Sequence, residues 1–144
     1  MSLFSALSVG ASGMAAQRTR AEVLVENLAN AETTRTPAGG PYRRKDVVFS
    51  TADVSSPFSS VFNSQMEGPE GVAVSDIITD QRDPERRYMP GHPDADKDGY
   101  VAYPRVNPAE EMVDLQGAAR GYEADVSAIA AVKDMIERSI DLLH

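Results

Sequence analysis

Three carboxylates at alternate positions, Asp94, Asp96 and Asp98, followed by Gly99, are the part of this 144-residue chain that most resembles a chemical site. Such spacing opens a calcium-binding loop, where positions 1, 3 and 5 supply oxygen ligands, position 6 is glycine and position 12 is a bidentate glutamate. Counted from Asp94, position 11 is Pro104 and position 12 is Arg105, a fixed cation where two oxygens belong. Pro90 and Pro93 stand just ahead of the loop, where an entering helix would have to run. The spacing therefore predicts a turn, in which the aspartates bond their own backbone and Gly99 takes a positive φ before "YVAY". A calcium-binding or adaptor module built on Asp94, Asp96 and Asp98 is the alternative.

Other chemistry is sparse. The two histidines are His92, between Gly91 and Pro93, and His144, and there is no cysteine. Disulfides and thiolate metal sites are thereby excluded, which fits an oxidising compartment. No G-x-S-x-G, P-loop or H-E-x-x-H pattern occurs, and no two acids stand out as an acid–base pair. The expectation is no catalytic residue, no cofactor and no metal site. A formal net charge of −8 argues against nucleic acid as a partner. Within this acidic chain "YRRK" (42–45) and "RR" (86–87) are basic. They read either as solvated surface or as contacts to the acidic C-terminal segment of a neighbouring copy.

The elements that would position these residues follow from proline. All nine prolines lie between Pro37 and Pro108, leaving two ends free to be helical and a middle that cannot be one long helix. At the C-terminal end Met112, Leu115, Ala119, Tyr122, Val126, Ile129, Lys133, Ile136, Ile140 and Leu143 recur in steps of three and four. Asn107 can cap that helix, Pro108 suits its first position, and Glu110 gives a capping-box-like spacing. At the N-terminal end Leu3, Leu7, Gly10, Met14, Gln17, Ala21, Leu24 and Leu28 keep the same steps with smaller residues. Helices of this length would run about 40–55 Å. The C-terminal helix is apolar beyond its seam as well, at Val113, Ala118, Ala128, Ala130, Ala131, Val132, Met135 and Leu142, which predicts several neighbours rather than one.

In the middle, "KDVVF" (45–49), "GVAVSDIIT" (71–79), "RRYM" (86–89) and "GYVAY" (99–103) predict short strands bounded by glycine and proline. A Ser-rich stretch at about 50–70, containing Phe58, Val61 and Phe62, predicts a mobile loop. The expected class is α+β. Long N- and C-terminal helices (1–30 and 109–144) pack as an antiparallel coiled-coil-like pair, and a small β-rich, Pro/Gly-rich middle (31–108) lies between them. No apolar run approaches the roughly 18 residues of a membrane span. No Lys or Arg precedes Arg18, so the charged start of a cleaved secretory signal is missing.

"VENLANAETTRTPAGGPYRRKDVVF" resembles the signature region of flagellar rod and hook proteins, with an Asn-Leu-Ala-Asn motif at Asn27, Leu28, Ala29 and Asn30. "PGHPDADKDGYVAYPRVNPAEEMVDL" and "RGYEADVSAIAAVKDMIERSIDLL" extend the resemblance, most closely to the proximal rod subunits of that family. A paralogous rod subunit is the rival within the class, and the Gly91–Asn107 stretch argues against it. The resemblance implies a non-enzymatic subunit of the bacterial flagellar basal body. Its terminal helices would form an inner tubular layer around the export channel, transmitting torque, with the middle outside. Implied partners are further copies, other rod subunits and the flagellar type III export apparatus. The implied location spans the periplasm, reached without a cleaved signal. Expected assembly-interface residues are Leu3, Leu7, Met14, Leu24, Leu28, Met112, Leu115, Tyr122, Val126, Ile129, Ile136, Ile140 and Leu143. Asn27 and Asn30 join them as turn and hydrogen-bonding residues, with a left-handed Asn30 closing the first helix.

Overall fold

A computed structural model describes residues 3–53 and 70–142. Helix α1 spans Leu3–Ala29, 27 residues or about 40 Å. Strand β1 (Lys45–Asp53) pairs antiparallel with β2 (Glu70–Thr79), with a register shift between Val48 and Phe49. Strands β3 (Glu85–Tyr88) and β4 (Tyr100–Tyr103) make a second antiparallel pair. Helix α2 spans Pro108–Asp141, 34 residues or about 51 Å. All four strands fall where the β-branched and aromatic runs predict them, and the class is α+β. The Ser-rich loop, apart from its edges in β1 and β2, lies outside the described residues, as do Phe58, Val61, Phe62 and Leu143.

Local chemistry explains the boundaries. Asn107 is extended at φ −96° and ψ 107°, its side-chain oxygen accepts from Ala109 N at 3.1 Å, and Pro108 follows in the first turn. Glu110 and Glu111 lie in that first turn, where the helix dipole favours anions. Helix α1 ends differently from expectation. Asn30 does not adopt the left-handed conformation, because among the described residues only glycines have positive φ. The last turn instead tightens: Asn30 N donates to both Glu26 O and Asn27 O, and Ala31 N to Leu28 O. The Asn30 side chain donates to Glu26 O at 2.9 Å and accepts from Thr33 Oγ1 at 3.1 Å, so its hydrogen-bonding role is fulfilled without a left-handed residue.

Helix α1 is the middle layer, with α2 on one side and the β1–β2 hairpin on the other. The hairpin lies along α1, from Asn27, which bonds Lys45, to Ser12, whose Oγ accepts from Val72 N at 3.0 Å. The two helices approach closely at glycine. A Cβ on Gly10 would sit 2.9 Å from Ile129 Cγ1, and one on Gly13 would sit 2.8 Å from Asp125 Oδ2. The α1–α2 contact line on α2 therefore runs through Glu111, Ala118, Gly121, Asp125 and Ile129, rotated from the apolar seam read in the sequence. Leu115, Ile129 and Ile136 are half-buried beside that line, whereas Met112, Tyr122, Val126 and Ile140 are exposed. On α1, Leu24 is buried, Leu7, Met14 and Leu28 are half-buried, and Leu3 is exposed.

A buried polar junction as the candidate functional site

Among the described residues the apolar core is small: Ala16, Val23, Leu24, Tyr42, Val101 and Ala118. Of the three largest fully buried side chains among them, two are polar, Asn27 at 0% and Glu111 at 1% exposure. Burial of an amide and a carboxylate demands partners, and here they come from three parts of the chain.

After α1 the chain doubles back. Gly39 and Gly40 both take positive φ (88° and 73°), Thr36 N bonds Gly40 O, and Tyr42 N bonds Thr33 O at 3.0 Å. That turn returns "YRRK" to the end of α1. Tyr42 OH donates to Asn27 Oδ1 at 2.9 Å, and Lys45 N donates to the same oxygen at 2.9 Å. Asn27 Nδ2 donates to Lys45 O at 2.8 Å and to Glu111 Oε2 at 3.0 Å. The amide thus uses both donors and both acceptor sites. Glu111 Oε1 accepts from Arg44 Nε at 2.5 Å, and Arg44 also pairs with Asp46. Lys45 Nζ reaches Glu26 at 2.6 Å and lies 5.9 Å from the Tyr42 ring centroid. Arg20 and Asp114, 3.6 Å apart, extend the network between the helices.

Electrostatics shift two of these groups, Tyr42 and Arg44. Burial, with the charges of Glu26 and Glu111 added, pushes the Tyr42 hydroxyl up to about 12. It stays a neutral donor to Asn27. Burial pulls Arg44 down, but the Glu111 carboxylate outweighs it and holds the guanidinium above its ordinary value. The phenol, the carboxylate and the amide all have their hydrogen-bond partners inside the junction. The arrangement is a joint: it fixes the C-terminal end of α1, the start of β1 and the first turn of α2 to one another.

The remaining sequence features are placed as follows. Asp96 Oδ1 accepts from Asp98 N at 3.0 Å and Tyr100 N at 2.8 Å, and Gly99 has φ 81°, the turn expected of the acidic loop. Asp94 looks away from it, accepting from Thr34 Oγ1 at 2.8 Å and lying 3.8 Å from Arg35, which ties the loop to the segment after α1. The cluster at 42–45 divides: Tyr42 is buried, Arg44 and Lys45 are half-buried, and Arg43 is exposed. Arg43 donates to Asp80 O and Arg82 O, while Arg44 meets Glu111 on the C-terminal helix of its own chain. Asp80 grips Arg82 at 2.6 Å, and that hydrogen bond lowers its carboxyl to about 2. Asn27 is a hub inside the helix rather than a turn residue. Glu111 was invisible to sequence reasoning, since an acid in a first turn already has a local explanation; the basic cluster at 42–45 was the one available signal for it.

Two long terminal helices packed antiparallel and joined across a small stranded middle, tied together by a buried polar junction, define the α+β architecture of this chain. The family described as "Flagella basal body rod protein" matches residues 7–35, and "Flagellar basal body rod FlgEFG protein C-terminal" matches residues 97–142. The flagellar basal-body rod protein FlgC of Bacillus subtilis is 43% identical, covering 99% of each chain. FlgC of Borreliella burgdorferi is 39% identical over 100% of this chain and 99% of its own, and FlgC of Salmonella typhimurium 35% over 99% and 98%. The chain belongs to the FlgC family of flagellar basal-body rod proteins. It is a structural component of the bacterial flagellar basal body that assembles with other rod components, and its role is not enzymatic.

Proposed function

We propose that the terminal helices, residues 1–30 and 109–144, pack with those of neighbouring copies and other rod subunits into an inner tube around the export channel. Residues 31–108 form the outer part. The subunit crosses the inner membrane through the flagellar type III export apparatus without a cleaved signal, and the assembled rod spans the periplasm and carries torque. The observation that carries this reading is the unpartnered apolar surface of α2: Met112, Val113, Tyr122, Val126, Met135, Ile140 and Leu142 are all exposed in the single chain. So many large apolar groups on one helix mark an association surface. The buried polar junction suits such a role, because it holds the outer strands at a fixed angle to the helices through which load passes. Val126→Asp and Ile140→Asp test the interface. Both sites are about half exposed (44% and 52%), so the isolated chain should keep its stability to within about 0.5 kcal/mol. Cells making either variant should lack rods and fail to swim. Swimming cells carrying both substitutions would overturn the reading.

A further inference from the structure

Two flanks of α2 are apolar, exposed and unlike each other. At about 100° per residue along the helix, Glu111, Ala118, Asp125 and Ile129 share the side against α1. Glu123, Asp134 and Asp141, all exposed, share the side turned away from it. The two apolar flanks lie between these sides, about half a turn from each other. One is a ridge of bulky groups, Met112, Tyr122, Val126 and Ile140, which are 41% to 52% exposed. Lys133 interrupts the ridge and lies 3.8 Å from Glu137. The other flank is shallow: Gly117, Ala124, Ala128 and Ala131 are exposed between Val113 and Met135. A Cβ on Gly117 would meet nothing within 4 Å.

Charge follows the same division. Arg120 and Arg138 border the shallow flank, on its edge toward the acidic side, and neither meets an acid among the described residues. Glu123 and Asp141 stand nearer the ridge, and neither meets a cation among the described residues. The two arginines are about five turns or 27 Å apart along α2, and the two acids are separated by the same interval.

We propose that the Tyr122–Val126 ridge of α2 in one copy packs into the shallow Gly117–Ala131 flank of α2 in a second copy beside it, the two helices running parallel. The inference rests on the rod reading, in which α2 lies inside α1, and says which sides of α2 meet. The flanks then face sideways round the tube, and the acidic side faces the channel. A shift of about 4.5 Å along the axis sets Arg120 of one copy beside Glu123 of the next, and Arg138 beside Asp141. The same shift brings Tyr122 level with the space between Gly117 and Ala124, so charge and shape select one register. Ridge and hollow differ, so the contact is heterologous and propagates from copy to copy.

The chain lacks cysteine, which gives the test a clean background. Ala124 and Val126 are neighbours but one on the same helix, where side chains do not face each other, so thiols there cannot close within one chain. Between copies in this register they oppose each other. Basal bodies purified from cells making the Ala124→Cys, Val126→Cys chain should, on mild oxidation, give a ladder of disulfide-linked multimers of this chain. Either single substitution should give none, because each flank meets the other and never itself. Gly117→Leu tests the shallow flank without thiols. The free chain should keep its helix content and thermal midpoint, since a Cβ there has open space, while cells making it should stop swimming. A doubly substituted chain that enters basal bodies yet stays monomeric, or couples only to a different protein, overturns the packing. So do multimers from a single substitution, or ordinary swimming with Gly117→Leu. Absence of even the unsubstituted chain from basal bodies is a separate outcome, and it would overturn the rod reading itself.

Discussion

Replacing Asn27 by alanine is the sharpest perturbation of the junction. The substitution removes four hydrogen bonds, to Lys45 N, Lys45 O, Tyr42 OH and Glu111 Oε2. At a net worth of about 1 kcal/mol each, they sum to about 4 kcal/mol. Desolvated partners left unsatisfied cost more, about 1–3 kcal/mol each, though water entering the vacated volume returns part of that. A small domain has only about 5–15 kcal/mol in total, so Asn27→Ala should take a large share of the folding stability. Glu111→Gln isolates the charge. It keeps an oxygen for Asn27 Nδ2 but leaves Arg44, whose side chain is 23% exposed, without its buried counter-ion. Partial exposure of Arg44 moderates the loss to about 2–3 kcal/mol, below the 3–5 kcal/mol of a fully buried pair. Urea unfolding followed by circular dichroism at pH 7 measures both, beside Asn30→Ala, whose bonds are local and whose cost should be about 1 kcal/mol. An Asn27→Ala protein within about 1 kcal/mol of the parent would refute the reasoning, because the net bond energies would then be far below the usual range.

Two further outcomes follow from the same geometry. Tyr42 ionises near 10 in the unfolded chain and at about 12 in the fold, so its stabilisation is complete below pH 10 and is lost as pH rises from 10 to 12. Tyr42→Phe should be less stable at pH 7 by about 1 kcal/mol and should lack this component of the alkaline loss; urea midpoints from pH 8 to 12 check both. Asp96→Ala removes the acceptor of Asp98 N and Tyr100 N and should cost about 1–2 kcal/mol, with no change in the response of the thermal melt to calcium or chelator. A chelator that shifts the parent melt by several degrees and leaves the variant untouched would return the loop to the calcium reading.

Backbone-level features were legible in the sequence, and buried polar pairings were not. Prolines from Pro37 to Pro108 separate helix from strand because each forbids a helix interior locally, and Asn107–Pro108 and Gly99 announce their own conformations. The apolar period of α2 was readable, but its phase was not. The facing surface of α1 offers Gly10, Gly13 and Gln17, so Asp125, Gly121 and Ala118 turn inward while Tyr122, Val126 and Ile140 remain outside. Hydrophobic weighting alone does not find the meridian that faces α1 when that contact is small and polar. Asn27 was visible as part of a motif, yet its partners lie 15, 18 and 84 residues away. The Arg44–Glu111 pair is separated by 67 residues. No local propensity encodes such a match; it exists once the Gly39–Gly40 turn has brought the basic cluster back to α1.

Reconstruction of the purified basal body by electron cryo-microscopy, with side-chain density for this subunit, tests the central claim most directly. The account predicts both terminal helices in the innermost layer of the rod. Met112, Val113, Val126, Met135 and Ile140 should be covered by neighbouring helices, with the two hairpins lying outside and the Asn27–Glu111 contact intact. Terminal helices on the outer surface of the rod, or an α2 whose apolar residues face solvent in the assembly, would contradict it.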